Sequence, residues 1–537
     1  MSPFSGERMK DPNRVSVFCA LSALVCALSA GVACSPAAKP GARTIAMSAL
    51  EDKIRGGWAG KMIGVSFGAP TEFSSNGKVN EAELPPWKPE RVENAIHQDD
   101  LYVGMTMSET MDRLGLEATT EEFGEAFKVS QYGLWHANAA ARRLLNLGLK
   151  APMSGDPLYN IHANDIDFQI EADFIGLMCP GLPREANTYS ERVGRVMNYG
   201  DGLYGGMFLN GMYAAAFFES DVRKVVEAGW ACLPRASEYA RLIRDVLDWS
   251  ARDPGDWKKT WRLVEDKWDK NESCPDGALD PFNIDAKMNG GYVAIGLLFG
   301  GRDFGRTVEI AARCGQDSDC NPSSAGGVLG VVIGYAAIPD FWKSGIPALA
   351  DVKFEYTRSS FNDISRATLA RALKVVQAAG GKATETAVTV PLETPVPARL
   401  EQWTMGVPDR RLGFKDKAWA WKGDWRPEVG GEKRQDVVGM RASGVGAEAG
   451  LTFTGSAVSI QGVLDQEGGR ADVYVDGKKA RDMDCYIVPR TFDSSLWHVY
   501  GLAQGTHTVR IVPRADADPR STGKKIAVSE AIIYRNR

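Results

Sequence analysis

The segment CGQDSDCNPSSAGGVLGVVIG, Cys314 to Gly334, contains the pattern that decides the fold. Its glycines at 326, 330 and 334 are four residues apart, and RGGWAGKMIGVSFGAP, Arg55 to Pro70, has glycines at 56, 60, 64 and 68 with the same spacing. Glycine is a poor helix former, so a stripe of glycines on one helix face suits a place where another backbone approaches closely. The two segments therefore predict two tightly packed central helices, and a loosely ordered glycine-rich loop is the alternative.

The first of these segments also places two carboxylates at the predicted start of its helix. Asn321 is a good N-cap residue and Pro322 suits the first helical position. Asp317 and Asp319 therefore lie just before the helix N-terminus, where the helix dipole favours negative charge.

A second pair of carboxylates, Asp99-Asp100 in HQDDLYVGMTMSETMDRLG, opens another helical run. Ordinary helix capping is sufficient to explain one such pair. If the two pairs converge, four carboxylates share one pocket, and a divalent cation relieves their mutual repulsion. Oxygen ligands favour Mg²⁺, Mn²⁺ or Ca²⁺ over zinc. We therefore expect one or two divalent cations, with Mg²⁺ as the first choice.

The composition and the hydropathy pattern predict a multidomain protein. The chain has 537 residues, of which 44% are apolar and 24% charged, and its formal net charge is −5. No dense Lys/Arg block points to nucleic acid. Residues 46–381 have helical periodicity, which predicts an all-α bundle. Residues 382–429, rich in Thr, Val and Pro, predict an extended linker or peripheral strands. Residues 430–537 alternate between apolar and polar positions, which predicts an all-β sandwich or jelly roll.

The first 34 residues have the order of a secretory signal. Arg14 precedes an apolar run from Val15 to Cys34 that ends in small residues. SAGVAC resembles a bacterial lipoprotein signal in which Cys34 is lipidated, while plain cleavage near Ala33 and an uncleaved anchor are the alternatives. We expect export to the periplasm, or attachment to the outer membrane through this lipid alone.

The nine cysteines of the chain are scattered. No CxxC spacing occurs, so the sequence predicts that there is no structural zinc site. Disulfide pairing stays open, because it cannot be deduced from spacing.

Three segments resemble motifs of the ADP-ribosylglycohydrolase family. They are GVSFGAPTEF (64–73), QDDLYVGM (98–105) and GQDSDCNPSSAGGVLG (315–330), and the likeness extends from Met47 to Lys374. The resemblance implies an all-α orthogonal bundle with a two-metal cleft. It also implies hydrolysis of a bond at the anomeric carbon of a ribose, usually in ADP-ribose linked to a protein side chain.

The family motifs also imply roles for individual residues. The implied metal ligands are Asp99, Asp100, Asp317 and Asp319. Glu72 stands at the acid/base position, and Asp100 is the second expected catalytic residue. Gln98 replaces a threonine ligand and is expected to bind the metal through its carbonyl oxygen. Cys320 replaces a second threonine and Val65 an aspartate, so a single ion or a metal other than Mg²⁺ stays open.

Polar residues outside these motifs are candidates for substrate binding. The segment YNIHANDIDFQIEADF, 159–174, is either a polar cleft rim that contacts sugar hydroxyls or a solvated loop. Its polar members are His162, Asn164, Asp165, Asp167, Glu171 and Asp173. The expected substrate-binding residues are Asp165, Asn198, Asp201 and Gly202. His97 is expected on the surface and His136 in helix packing.

The C-terminal region resembles the carbohydrate-binding sandwich modules of secreted hydrolases. The resemblance lies in VYVDGKK (473–479) and GLAQGTHTVRIV (501–512). Trp497, His498 and Tyr500 are candidates for stacking on a sugar, although core packing is expected for at least one of them.

Together these features predict an exported, metal-dependent hydrolase that acts on a sugar-containing or ADP-ribose-like substrate. The alternative is a non-catalytic glycan- or nucleotide-sugar-binding protein on a degenerate hydrolase scaffold. Retention of four mutually repelling aspartates favours the enzyme. The exact substrate, the stereochemistry and the oligomeric state stay open.

Overall fold

The computed structural model describes residues 41–270, 272–431 and 435–536. The predicted signal, including Cys34, lies outside the described residues. In these ranges no helix has both the length and the apolar character needed to cross a membrane. The six cysteines from Cys179 to Cys485 in the same ranges are buried and form no disulfide.

Within the described residues the chain forms seventeen α-helices, two 3₁₀ helices and fifteen strands. The helices are α1 (Met47–Gly68), α2 (Asp99–Leu114), α3 (Thr120–Lys128), α4 (His136–Asn146), α5 (Asp167–Glu171), α6 (Asp173–Leu177), α7 (Pro183–Gly194), α8 (Asp201–Ala216), α9 (Val222–Ala231), α10 (Glu238–Arg252), α11 (Trp257–Trp268), α12 (Ala286–Gly300), α13 (Phe304–Arg313), α14 (Cys320–Ile333), α15 (Asp340–Lys343), α16 (Ile346–Leu349) and α17 (Phe361–Ala378), with 3₁₀ helices at Ala69–Thr71 and Pro89–His97.

The strands are β1 (Ala42–Ala46), β2 (Lys382–Ala383), β3 (Ala387–Pro391), β4 (Val407–Gly413), β5 (Trp419–Lys422), β6 (Arg426–Val429), β7 (Val437–Ser443), β8 (Glu448–Gly455), β9 (Ala457–Leu464), β10 (Gly469–Val475), β11 (Lys478–Lys479), β12 (Met483–Asp484), β13 (Thr491–Val499), β14 (Gly505–Ala517) and β15 (Lys525–Arg535). The predicted succession of a helical domain and an antiparallel β region is confirmed.

The two glycine-rich helices, α1 and α14, pack against each other as predicted. A Cβ on Gly60 would lie 2.0 Å from the carbonyl oxygen of Gly326, and a Cβ on Gly330 would lie 2.0 Å from the carbonyl oxygen of Gly56. Only glycine permits this reciprocal approach of two backbones. Gly334 is not part of the stripe, because it follows the end of α14 with a φ of 82°.

Replacing Gly60 by Ala is expected to lower the free energy of unfolding by about 3 kcal/mol or more, because the new methyl group collides with rigid backbone rather than with a mobile side chain. Denaturant unfolding measures the change. Gly255→Ala is the matched control, since a Cβ there has no neighbour within 4 Å in the described structure. Equal stability of the two variants would show that the helices are not closely packed.

The start of α14 differs from the prediction in one respect. The helix begins at Cys320 with Asp319 as its N-cap, so Asn321 and Pro322 lie in the first turn. The side chain of Asn321 donates a hydrogen bond to Asn289 Oδ1 (2.9 Å) instead of capping the helix. The Asp319 side chain also makes no capping hydrogen bond. The carboxylate of Asp319 therefore does not cap the helix that it precedes.

The β region forms two packed antiparallel sheets and starts earlier than residue 430. One sheet has the order β11-β10-β14-β8-β5 with β12 beside β10, and the other has the order β13-β9-β15-β7-β6 with β4 beside β15. The expected linker is divided, because β4, β5 and β6 belong to these sheets while β2 and β3 join β1 in a separate sheet.

Two of the three aromatic residues proposed to stack on a sugar are buried. The Trp497 indole N–H donates to the carbonyl oxygen of Arg481 (2.8 Å), and Trp497 lies in the sandwich core. His498 is 4% exposed, and its Nε2 lies 2.6 Å from the carbonyl oxygen of Pro157 in the helical region. Sugar stacking by these two residues is therefore wrong. Tyr500 is half-buried, and its ring lies 5.6 Å from that of Trp403.

Candidate metal centre

The packing of α1 on α14 brings Glu72 to the start of α14. A Cβ on Gly68, at the end of α1, would lie 2.0 Å from the carbonyl oxygen of Ser318. The turn that follows is fixed by a hydrogen bond between the hydroxyl groups of Thr71 and Ser318 (3.0 Å). Glu72 comes next in the chain, so its carboxylate lies beside Asp317 and Asp319.

The backbone has an unusual conformation on both sides of this contact. Phe73 has a φ of 50° and Gln316 a φ of 54°, in the left-handed region that residues other than glycine rarely adopt. The Phe73 N–H donates to the carbonyl oxygen of Gln316 (3.0 Å), and the Gln316 N–H donates to that of Ser75 (3.1 Å). Such strain persists where the surrounding structure holds it, and it is concentrated at functional sites. Glu72 directly precedes Phe73 and Asp317 directly follows Gln316, so the strained backbone holds these two carboxylates opposite each other.

Two overlapping sets of donor atoms meet in this cleft. One set is Glu72, Asp317 and Asp319, and the other is Asp100, Asp319 and Cys320. Within each set one donor atom per residue lies within 4.8 Å of the others. Asp100, from one predicted pair, thus lies beside Asp319, from the other pair.

Burial raises the pKa values of Glu72, Asp317 and Asp319. Burial raises the pKa of Asp317 to about 6. It raises the pKa of Asp319 well above the usual range, and the negative charge of Asp317 raises it further. Glu72 is exposed to solvent, yet loss of part of its hydration and the charges of Asp317 and Asp100 raise its pKa to about 7. A cleft that crowds carboxylates in this way favours a bound cation.

Two buried oxygens of the cleft also lack hydrogen-bond partners. In the part of the chain that the structure describes, Oδ1 of Asp317 and Oδ1 of Asp319 accept no hydrogen bond, although both residues are 2% exposed. Leaving a buried acceptor unpaired costs about 1–3 kcal/mol, and more for a charged group. Carboxylate oxygens are the preferred ligands of Mg²⁺, Mn²⁺ and Ca²⁺. The residues therefore fit a hard divalent cation, with Asp319 common to both sets.

Cys320, a member of the second set, and two further motif residues complete the surroundings of the cleft. Cys320 donates its thiol hydrogen to Asp100 Oδ2 (3.1 Å). Asp99 belongs to neither set; burial and the charges of Asp100 and Asp317 raise its pKa to about 8. Gln98 is the N-cap residue of α2, and its amide nitrogen donates to Asn94 Oδ1 (2.9 Å). Metal binding by Asp99 and Gln98 stays a prediction.

Lys61, which follows Gly60 on α1, is a residue of the cleft that the motifs did not reveal. Its side chain is 1% exposed, and its Nζ lies 2.8 Å from Asp173 Oδ2 and 3.5 Å from Asp100 Oδ1. It also donates to the carbonyl oxygen of Ile170 (2.7 Å). Burial alone would lower the pKa of Lys61, but the charges of Asp173 and Asp100 raise it. The sequence offers one sign of this role: a lysine stands within a glycine-rich helix that is expected to be buried.

The acidic segment 165–173 is buried, so its interpretation as a solvated loop is wrong. Asp167 accepts two backbone N–H groups at the start of α4, at 2.9 and 3.2 Å, and so caps that helix from outside. Glu171 accepts a hydrogen bond from the side chain of Asn138. Asp173 accepts one from the Tyr213 hydroxyl (2.5 Å) in addition to its contact with Lys61. These three carboxylates support the cleft from within the protein.

Two of the expected substrate contacts, Asn198 and Gly202, support the loop 163–168 instead. Asn198 is 1% exposed; its side chain donates to two carbonyl oxygens of that loop (3.0 and 2.8 Å) and accepts one of its N–H groups (3.0 Å). A Cβ on Gly202 would lie 2.3 Å from the carbonyl oxygen of Ala163. Both residues therefore serve backbone packing rather than substrate binding.

Asp201, a third expected substrate contact, lines a cavity of about 330 Å³ together with Lys287 and Trp403. It begins α8, and its Oδ1 accepts the N–H of Tyr239 (3.3 Å). Burial raises the pKa of Asp201 to about 7. Substrate binding by Asp201 stays a prediction.

The histidines differ from one another in their surroundings. His97 is exposed, as expected, and its Nδ1 lies 2.9 Å from Glu355 Oε2. His136 begins α4 with a φ of 43°, and its ring lies 5.9 Å from that of His162. Both rings lie beside Asp165 and Cys274. His136 thus lies in a polar group at the start of α4, its role in helix packing stays a prediction, and Asp165 is fully buried within this group.

Known proteins similar to this chain include two from Flavonifractor plautii. One is described as an A type blood N-acetyl-alpha-D-galactosamine deacetylase; it is 32% identical over 140 residues, which is 26% of this chain and 17% of that protein. The other is described as an A type blood alpha-D-galactosamine galactosaminidase; it is 37% identical over 76 residues, which is 14% of this chain and 7% of that protein. The chain thus spans less than a fifth of either relative.

The helical region has broader similarities. A solved structure described as an ADP-ribosylglycohydrolase-related protein complex is 16% identical with a TM-score of 0.41, over 61% of this chain and 99% of that chain. The profile of the ADP-ribosylglycohydrolase family matches residues 46–379, which include every residue of the cleft described above. Because this match spans more than half of its length, the chain belongs to the ADP-ribosylglycohydrolase family.

Proposed function

We propose that the protein is a divalent-cation-dependent hydrolase that cleaves a glycosidic or N-/O-ribosyl bond at an anomeric carbon. The observation that carries this proposal is the meeting of Glu72, Asp317 and Asp319, with two buried carboxylate oxygens that accept no hydrogen bond from the described residues. Membership of the family supports the class of reaction.

The surroundings of each carboxylate suggest how the roles are divided. Asp100, Asp317 and Asp319 would hold the cation, with Mg²⁺ as the first choice and Asp99 and Gln98 as further candidate ligands. When bound, such an ion supplies a Lewis acid next to the reacting sugar. Glu72 is exposed to solvent, so it is accessible to a substrate and suited to proton transfer. Asp100 is held by Lys61 and Cys320, which fixes its direction toward the cleft.

A sugar-containing substrate is the class that we favour. The printed names of the two partial relatives refer to amino sugars of a blood-group glycan. Their matched segments are short, so they support a substrate class and no particular sugar. An ADP-ribose-like compound is the second candidate substrate, because the chain belongs to the ADP-ribosylglycohydrolase family.

Export is a separate proposal that rests on residues 1–34. The charged, apolar and small residues follow one another there in the order of a secretory signal. Intact-mass analysis of the membrane and soluble fractions tests it: a mature chain that begins at a lipidated Cys34 supports a lipoprotein, and a chain that retains Met1 contradicts export.

Replacing Asp319 by Asn is expected to weaken binding of Mn²⁺ by about 100-fold or more, because loss of even an outer-shell partner of a metal ligand costs about 10–100-fold. The increase of the melting temperature with Mn²⁺ should disappear. The metal-free variant should melt at or above the wild-type temperature, because the amide is neutral without having to bind a proton against the raised pKa of this position. Asp340→Asn, at a side chain that is 91% exposed, is the matched control. A wild-type Mn²⁺ shift in Asp319→Asn would remove Asp319 from the ligand set.

A substrate panel distinguishes the hydrolase from the binding protein. The panel contains aryl glycosides, N-acetylgalactosaminides and an ADP-ribosylated peptide, each incubated with Mg²⁺ or with a chelator. Release of product that depends on Mg²⁺ supports the proposal. Binding of one of these compounds without turnover in any divalent cation would favour the non-catalytic alternative.

A further inference from the structure

Four side chains outside the acidic cleft form a second set of donors with a different chemistry. His136 begins α4, His162 and Asp165 lie in the loop before α5, and Cys274 lies in the loop before α12. One donor atom from each of the four lies within 4.8 Å of the other three. The four residues come from three segments, so no spacing in the sequence reveals them.

The distances within this group match the coordination shell of a small ion. His136 Nδ1 lies 3.7 Å from Asp165 Oδ2 and 3.7 Å from Cys274 Sγ. Zinc binds nitrogen, oxygen and sulfur at about 2.0–2.3 Å in a tetrahedron, which places its donors about 3.3–3.8 Å apart. His162 Nδ1 and Asp165 Oδ2 are closer, at 2.9 Å, and would separate slightly around an ion.

Asp165 provides an independent observation that points to a ligand. It is 0% exposed, and its Oδ1 accepts no hydrogen bond from any residue in the described ranges. A buried carboxylate normally has its oxygens satisfied, because an unpaired charge in the interior is expensive. The oxygen of Asp165 that faces the two imidazole rings is Oδ2, so the buried Oδ1 is left without a partner among the described residues, and the carboxylate is able to bind a cation.

We propose that His136, His162, Asp165 and Cys274 bind a Zn²⁺ ion, or another ion of the same borderline-soft class. Two imidazoles, one thiolate and one carboxylate favour zinc over the hard cations expected in the acidic cleft. Four protein donors complete a tetrahedral shell, which is typical of a structural site. The ion would join α4 to the loops before α5 and α12. This proposal replaces the expectation, drawn from the absence of CxxC spacing, that the chain has no structural zinc site.

An ion has a path to this site from solvent. His136 and His162 line a cavity of about 560 Å³ that is bounded on its other side by residues of the sandwich such as Arg481 and Trp497. The side chains of the two histidines are 17% and 15% exposed. Asp276 also lines this cavity, and its Oδ2 lies 3.8 Å from His136 Nδ1. This carboxylate places a negative charge beside the two histidines, while Arg143, Arg470 and Arg481 line other parts of the same cavity.

Co²⁺ is the probe that tests the site, because a cobalt–thiolate bond gives a charge-transfer absorption in the near ultraviolet. The full chain is stripped with a chelator, titrated with Co²⁺ and then with Zn²⁺. We expect the thiolate band to appear with one equivalent of Co²⁺ and to disappear when Zn²⁺ displaces it. Cys274→Ser should lose the band, and its affinity for Zn²⁺ should fall by about 100-fold or more.

Two other cysteine variants make the result specific. Cys232→Ser is the matched control, since Cys232 is equally buried and its thiol donates to the carbonyl oxygen of Ala228. Cys320→Ser tests whether the band arises in the acidic cleft instead. The band should survive in both.

A wild-type protein without the band at saturating Co²⁺, or a band that is lost in Cys320→Ser and kept in Cys274→Ser, would overturn the proposal. Neither result bears on hydrolysis with Mg²⁺, so the proposed function is tested separately.

Discussion

Replacing Glu72 by Gln is expected to reduce hydrolysis by about 10²–10⁴-fold, the usual contribution of a positioned general acid or base. Glutamine keeps the shape and one oxygen of the side chain but cannot transfer a proton. The melting-temperature increase with Mn²⁺ should therefore be largely retained, because Asp317, Asp319 and Asp100 are unchanged. Loss of turnover with retention of the metal response is the combination that identifies Glu72 as a proton-transfer residue.

The matched control for Glu72→Gln is Glu83→Gln, an exposed residue in the same connection between α1 and α2. That variant should hydrolyse the substrate at the wild-type rate. If Glu72→Gln loses the Mn²⁺ response together with activity, Glu72 is a metal ligand. If Glu72→Gln keeps full activity, proton transfer belongs to another group.

Replacing Lys61 by Met is expected to lower the free energy of unfolding by about 3–5 kcal/mol, because removal of one member of a buried ion pair leaves the other charge without compensation. Lys61 Nζ contacts Asp173 Oδ2 at 2.8 Å, and both side chains are 1% exposed. Asp100, whose Oδ1 lies 3.5 Å from Lys61 Nζ, loses this positive charge in the same variant. Denaturant unfolding without metal measures the change.

The double variant Lys61→Met/Asp173→Asn separates charge from shape. Removal of the second charge should restore part of the lost stability, because the uncompensated carboxylate at position 173 is then gone. Lys374→Met, at an exposed position on α17, is the control and should be near neutral. A Lys61→Met protein that is as stable as this control would show that Lys61 does not compensate buried charge.

The features that the sequence predicted well are those with local rules. Glycines four residues apart imply one helix face, and the partner stripe was recognisable because it has the same spacing. Asp99 and Asp100 begin α2, since carboxylates suit the first turn of a helix. The acidic cleft could be anticipated from these rules and from the resemblance to a family.

The features that escaped prediction depend on contacts between distant segments. The sequence suggests Asn198 as a substrate contact, but its amide is used by a loop more than thirty residues earlier in the chain. The local sequence of His136 indicates helix packing, because nothing in that segment shows Asp165 or Cys274 beside it. Lys61 meets Asp100 and Asp173 only after three helices have packed together. Periodicity and capping rules do not contain this information.

The most direct test of the metal centre is anomalous scattering from crystals of the full chain soaked in Mn²⁺. We expect a peak between the carboxylates of Asp317 and Asp319, within coordination distance of the Oδ1 atoms that lack partners in the described structure. The same soak of Asp319→Asn should show a much weaker peak or none. A wild-type map with no anomalous peak between these two carboxylates, at a Mn²⁺ concentration that supports turnover, would contradict a metal-dependent hydrolase at this cleft.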